Sequence, residues 1–245
     1  MRGCFITATG TDVGKTLVTA GLLRSILARG RRTIAAKPFQ TGCMKSVDGT
    51  LVPEDVVAYE RASGIDYAAL PAEAICRYRF EPACSPHLAA EQIDVECSAQ
   101  EAIRSIRLLE SSYDTILVEG AGGMLVPLGS EETMLDLAVG LGLPVVVVVD
   151  NRLGCINHTL MTIETIRRAS LDLVGIIMNE TSPPADEVDR MIREDNPRAI
   201  ARHGDCSILA RIEYMPDFSP EDDQCWQRIA DRLVPVAERI DDLAP

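Results

Sequence analysis

Basic charge is scarce in this chain. Its 245 residues carry 24 Lys and Arg against 37 Asp and Glu, a formal net charge of −13. That balance argues against a dedicated nucleic-acid or anionic-membrane binder, since either needs a basic face, but it leaves room for a local cationic pocket. Histidine is scarcer still, with three residues, and no His-x-x-x-His or Cys-His spacing signals a transition metal. Eight cysteines fall at irregular spacing without one C-x-x-C pair. A zinc cage and a thioredoxin-type motif are therefore unsupported, and the thiols suit the reduced core of a cytoplasmic protein. Long apolar runs are missing too. The longest, "LGLPVVVVV", covers about half a membrane span. The N-terminal "MRGCFITATG" turns to glycine and threonine too early for a signal peptide.

What the chain does have is hydrophobic residue, 47% of the total, enough to bury a sizeable core. Strand-like runs recur at Gly3–Ala8, Thr33–Pro38, Ile116–Glu119, Pro144–Asp150, Leu173–Met178 and Ile208–Ile212. "VVVVV" shows no polar alternation, as in a parallel strand covered on both faces. Helical patterns lie between them, at Lys15–Arg29, Ser98–Ser111, Ile156–Ala169, Ala185–Arg193 and Asp223–Ile240. This alternation predicts an α/β fold: a mostly parallel sheet with helices on both faces. No repeat or linker interrupts it, so residues 1–245 form one expected domain. Gly42 to Pro86 is the least regular stretch, the kind of excursion where substrate contacts collect.

The chemistry-bearing residues begin with "TATGTDVGKT", Thr7 to Thr16. It follows one predicted strand and opens one predicted helix, as a P-loop requires, although Thr9 stands where the general pattern has its first glycine. Gly10 and Gly14 allow close backbone approach to phosphate, Lys15 supplies a charge to the β- and γ-phosphates, and the Thr16 hydroxyl suits Mg²⁺. In "AAKPFQTG", Pro38 ends a strand and leaves Lys37 at its carboxyl edge. Lys37 is either a second charge for a developing anion or an ordinary exposed strand end. "TILVEGAGG" puts Glu119 at a strand end in a Walker-B-like place. Alone, Asp55 in "VPEDVVAYE" reads as a helix N-cap or a solvated charge, and His87 and His158 as satisfied structural histidines. Asn179, just past "LVGIIM", is placed to read a purine edge.

In this order these segments resemble the dethiobiotin synthetase family, ATP-dependent carboxylases of biotin biosynthesis. The shared motifs are "TATGTDVGKT", "KPFQTG", Asp55, "EPACSPHLAA", "VEGAGG", "LGCINHTLMT" and "NETSPP", from Phe5 to about Pro184. The resemblance implies a P-loop NTPase fold. It assigns Asp12, Val13, Gly14, Lys15, Thr16 and Leu17 to the nucleotide, together with Gly120, Ala121 and Gly122. Thr16, Asp55 and Glu119 fall in the Mg²⁺ neighbourhood, and Lys37 and Lys15 are catalytic. Thr11 and Thr41 adjoin the substrate. Asn179, Glu180, and Glu213, Tyr214 and Met215 of "IEYMPD" adjoin the base, although the family's "P-x-L" is absent there. Gly154, Cys155, Ile156 and Asn157 meet the substrate's carboxylate tail across a homodimer interface. Ala8 and Gly10 depart from the family loop. The implied substrates are 7,8-diaminopelargonate, CO₂ and ATP.

Two other readings compete. A partitioning or targeting ATPase switch would carry an extra lysine five places before Lys15, where this chain has Gly10. A related amidoligase is the second, but no glutamine-amidotransferase domain fits in this length.

Overall fold

The computed structural model describes residues 1–243; the last two positions of the expected 1–245 domain lie outside the described residues. Six strands form one parallel sheet: β1 (Gly3–Ala8), β2 (Thr33–Ala36), β3 (Thr115–Glu119), β4 (Val145–Asp150), β5 (Leu173–Asn179) and β6 (Ile208–Ile212). Their order is β2-β3-β1-β4-β5-β6. The chain leaves β1 toward β2 on one side and β4 toward β5 on the other. The order therefore reverses beside β1, where open α/β sheets place ligands beyond the carboxyl ends of the strands. In register, Ile6 of β1 lies opposite Glu119 of β3, so Glu119 stands at that carboxyl edge.

The longer helices are α1 (Lys15–Ala28), α2 (Glu54–Ser63), α3 (Ala99–Arg107), α4 (Met134–Leu141), α5 (Cys155–Arg168), α6 (Glu187–Gly204), α7 (Asp223–Arg232) and α8 (Val234–Asp242), with short helical turns at Ala72–Ile75 and Pro86–Glu91. α1 packs against α2, α7 and α8, while α3 packs on α4 and α5 on α6. Right-handed crossovers that run in opposite directions from β1 put these groups on opposite faces of the sheet. At the α1–α7 contact, a side-chain carbon on Gly21 would sit 2.3 Å from Ile229, so glycine permits the close approach. Phe5, Ile6, Leu22, Ile34, Ile116 and Leu117 are fully buried between the layers.

Several boundaries differ from the sequence-based expectation, and proline explains most of them. β2 stops at Ala36, because Pro38 cannot extend the ladder; the Lys37 N–H donates instead to Ile75 O at 2.8 Å. Beyond it, Phe39–Gln40 pairs in parallel with Tyr78–Arg79 and gives the supposedly irregular stretch a wall. α6 runs on through Pro197 to Gly204. Proline lacks the N–H that would reach the Arg193 carbonyl one turn back, and Asn151 Nδ2 donates to that carbonyl at 2.9 Å. The expected Asp223–Ile240 helix is two helices meeting at Leu233, with Pro235 in the first turn of the second. α4 escaped the sequence reading although Thr133 and Asp136 form a capping box at its start. All eight cysteines are free, and no helix among the described residues is long and apolar enough to cross a membrane.

Candidate active site

The loop between β1 and α1 is shaped by Gly14. Its φ of 94° is left-handed, and a side-chain carbon there would lie 2.2 Å from Asn179 Nδ2. Asn179 donates through that nitrogen to Val13 O at 2.9 Å, fastening the loop to the end of β5. No side chain caps α1, so its first N–H groups stay available to an anion. Lys15 is buried beside them and donates to Gly10 O at 3.0 Å. Burial, and then the positive charge of Lys37, pull its pKa down to about 8. An ammonium this poorly compensated is set to gain from an incoming phosphate.

Lys37 has a different environment. Its Nζ lies 2.5 Å from Asp55 Oδ2 and 2.6 Å from Glu119 Oε1, and donates to Gly120 O at 3.3 Å. Burial alone would lower its pKa, but the two carboxylates outweigh it and hold the group charged well above the ordinary lysine value. Burial likewise pushes Asp55 upward, and Lys37 overrides it to hold that carboxyl below the ordinary range. Glu119 is completely buried and has both oxygens in use. Lys37 and Thr16 Oγ1, the latter at 3.1 Å, donate to Oε1, and Tyr59 OH donates to Oε2 at 2.6 Å. Asp55 is therefore neither a helix N-cap nor a solvated charge. Pro53 occupies the cap of α2, and the Asp55 carboxylate meets Lys37.

Tyr59 was not singled out in the sequence. The available signal was its spacing: Tyr59 stands four residues after Asp55, on the same face of α2. Burial, then Glu119, raise its phenol well above the usual value, so it stays a proton donor to the carboxylate.

These groups open onto one cleft of about 850 Å³. Of the expected residues, Thr11, Asp12, Gly14, Lys15 and Thr16 line its loop side. Lys37, Thr41, Asp55, Glu119, Ala121 and Gly122 line the remainder. Val13 packs in the core and Leu17 against it, while Gly120 contributes its carbonyl to Lys37. Neither histidine fits the expected satisfied role: His87 Nδ1 is buried without a partner, and His158 is exposed.

A divalent cation is testable against this donor set. Among the described residues no three His, Cys, Asp or Glu side chains gather into a protein cage. Thr16, Asp55 and Glu119 instead offer hard oxygens beside the phosphate loop, which suits Mg²⁺ held by few protein ligands and shared with phosphates and water. With both Glu119 oxygens taken, Thr16 and Asp55 are the freer ligands.

The remaining expected residues lie outside the cleft. Glu180 pairs with Arg211 at 2.6 Å and has Arg193 at 3.9 Å. Glu213, Tyr214 and Met215 border a separate hollow of about 390 Å³ with Arg228 and Arg232. Gly154, at φ 92°, begins α5; Cys155 is buried, Ile156 half-buried and Asn157 exposed, next to a Leu153 that is 78% exposed. A buried polar set behind this turn was not anticipated. Asn196 Nδ2 donates to Asn151 Oδ1 at 2.9 Å and to Arg152 O at 3.3 Å, while Arg193 donates to the Ser182 and Pro183 carbonyls. It ties the turn after β4 to the turn after β5.

An AAA domain family model matches residues 2–222. The chain is 39% identical over 219 residues to the ATP-dependent dethiobiotin synthetase BioD of Anaeromyxobacter dehalogenans strain 2CP-C, covering 89% of this chain and 93% of the relative. It is 39% identical over 223 residues to that of Pseudomonas paraeruginosa strain PA7, covering 90% and 93%. Among solved structures it resembles the cell division ATPase MinD of Pyrococcus furiosus, at 20% identity and a TM-score of 0.60 over the whole of both chains. The septum site-determining protein MinD of Pyrococcus horikoshii, complexed with Mg-ADP, gives 20% identity and a TM-score of 0.61, covering 99% of this chain and 97% of that one. At such identity the structural likeness shows the P-loop NTPase-type α/β fold and nothing finer.

Proposed function

Because the chain belongs to the ATP-dependent dethiobiotin synthetase family, we propose that it joins 7,8-diaminopelargonate, CO₂ and ATP into dethiobiotin, ADP and phosphate, working as a single domain within a homodimer. The observation that carries this reading is one cleft holding a phosphate-type loop, an undercompensated Lys15, and a second lysine fixed on two carboxylates.

The reaction needs two anions brought together. One amine of the substrate adds to CO₂ and loses a proton, giving a carbamate. A carbamate oxygen attacks the γ-phosphorus and expels ADP, leaving a carbamic-phosphoric anhydride. The neighbouring amine attacks the carbonyl carbon, loses its proton and expels phosphate as the ureido ring closes. No step requires a protein nucleophile, and no Ser/His/Asp or Cys/His set was found in the sequence.

The protein's part is positioning and charge. The loop N–H groups and Lys15 hold the triphosphate, and Lys15 gains the counter-charge it lacks. Lys37, kept charged by Asp55 and Glu119, stands where carbamate and γ-phosphate oxygens converge. Opposite unit charges 4 Å apart attract by about 4 kcal/mol at an effective dielectric near 20, enough to matter for each contact. Mg²⁺, held by Thr16 and Asp55 with Glu119 close by, would neutralise phosphate charge when bound. Thr11 and Thr41 offer hydroxyls to the diamine. Asn179, Glu180 and residues 213–215 are the candidates for the base, and residues 154–157 for the carboxylate tail across the dimer.

The test is incubation with Mg-ATP, bicarbonate and 7,8-diaminopelargonate. Dethiobiotin formation with matching ADP release supports the reading. ATP hydrolysis indifferent to the diamine but responsive to a protein or membrane partner would favour a switch ATPase instead.

A further inference from the structure

The three N–H donors of the Lys37 ammonium are all in use, on Asp55 Oδ2 at 2.5 Å, Glu119 Oε1 at 2.6 Å and Gly120 O at 3.3 Å. A substrate oxygen can reach this nitrogen only by displacing one of them. Asp55 and Glu119 line the cleft, whereas Gly120 is buried and outside its lining. The exchange therefore falls to one of the two carboxylates.

They are held very differently. The Glu119 side chain has no exposure, and besides Lys37 it accepts from Thr16 Oγ1 at 3.1 Å and Tyr59 OH at 2.6 Å. Turned away from Lys37, it would be a buried carboxylate short of its counter-charge, which is costly. The Asp55 side chain is 18% exposed, so water can meet it as it turns. Asp55 and Thr16 are also the freer hard-oxygen donors for a divalent cation, so a released Asp55 charge need not stay bare beside phosphate.

Tyr59 enforces the difference. Its fully buried ring lies 6.1 Å from that of Tyr67, tilted by 51°. Tyr67 OH donates to Ala35 O at 3.3 Å and accepts from the Ala35 N–H at 3.2 Å, on the strand that leads to Lys37. A backbone carbonyl would satisfy a buried phenol equally well. This one instead clamps Oε2 of Glu119 and leaves Oε1 aimed at Lys37.

We propose that Tyr59 is a positioning residue: by holding Glu119 in place, it makes Asp55 the partner that Lys37 gives up to a substrate oxygen. The assignment rests on the dethiobiotin reading and deepens it.

The experiment pairs a complex with a variant. In wild type bound to Mg²⁺, β,γ-methylene-ATP and the diamine, Lys37 Nζ should stay within about 3 Å of Glu119 Oε1 and move beyond about 4 Å from Asp55 Oδ2. Retention of the Asp55 contact overturns the inference. Tyr59→Phe should lower kcat about tenfold or more, with the KM values for ATP and the diamine within about twofold. Placing 4-aminophenylalanine at position 59 puts an N–H donor where the phenol was, and should return most of the lost turnover. Unchanged kcat in Tyr59→Phe, or no recovery with the amino side chain, overturns the inference alone. A wild type that forms no dethiobiotin overturns the functional reading and this inference with it. Should Tyr59→Phe fail to fold, the wild-type complex still decides.

Discussion

Lys15 follows β1 and Lys37 follows β2, the two strands that flank β3, and both face one cleft, yet their surroundings are opposite. Lys15 has one backbone carbonyl for company and a pKa drawn down to about 8. Lys37 is saturated by two carboxylates and a carbonyl, and its charge is locked in. The contrast separates two uses of a buried cation. Lys15 gains its compensation only when phosphate arrives, whereas Lys37 is charged and positioned beforehand and must exchange one of its three partners for a substrate oxygen. Tyr59 and Thr16 extend that preorganisation by fixing the orientation of Glu119.

The largest effect should follow from breaking the Lys37 side. Lys37→Ala is expected to lower turnover with saturating substrates by about 10²–10³. It also strands Asp55 and the wholly buried Glu119, so thermal or urea unfolding should show a loss of about 3–5 kcal/mol. Near-normal turnover in this variant would remove Lys37 from the chemistry.

On the Lys15 side, pH is the probe. In the ligand-free protein Lys15 loses its proton as pH rises through about 8, while bound phosphate favours the charged form. Above that pH, nucleotide binding must take up a proton, and affinity should fall about tenfold by pH 9 relative to pH 7. Calorimetry in buffers of different ionisation enthalpy reads the uptake directly, and Lys15→Met should abolish it. The linked stability term has the opposite sense. Between about 8 and the ordinary 10.5 the unfolded chain binds more protons at this site, so its contribution to folding stability rises with pH.

A smaller change tests the support beneath Lys37. Tyr59→Phe deletes one hydrogen bond to a buried carboxylate and should cost about 1.5–3 kcal/mol in urea denaturation, with nucleotide affinity nearly intact. The smallest effect belongs to the other end of the substrate. Asn157→Ala should raise the KM for the diamine by roughly threefold to tenfold without altering ATP binding. Loss of both together would point to a folding defect.

How much of this was legible in the sequence depended on how local each cause is. β1 and β6 fall on their expected spans, and the other sheet strands differ by one or two residues at an end, because uninterrupted apolar runs mark parallel strands. The loop at Lys15 was legible from its strand–glycine–helix setting. The partner of Lys37 was not, since Glu119 lies 82 residues away in the chain and Asp55 looked like an exposed helix start. Pro197 illustrates the same limit. A local reading stops the helix early, but Asn151, 42 residues from Arg193, satisfies the freed carbonyl.

The most direct test of the central claim follows oxygen. With heavy-oxygen-labelled bicarbonate, Mg-ATP and the diamine, attack by a carbamate oxygen on the γ-phosphorus transfers one labelled oxygen from CO₂ to the released phosphate and leaves the other in the ureido carbonyl. Mass spectrometry of phosphate and product should show both labels when turnover is fast against exchange with water. Unlabelled phosphate formed alongside labelled dethiobiotin would mean that water, not the carbamate, attacks ATP, and would contradict the account.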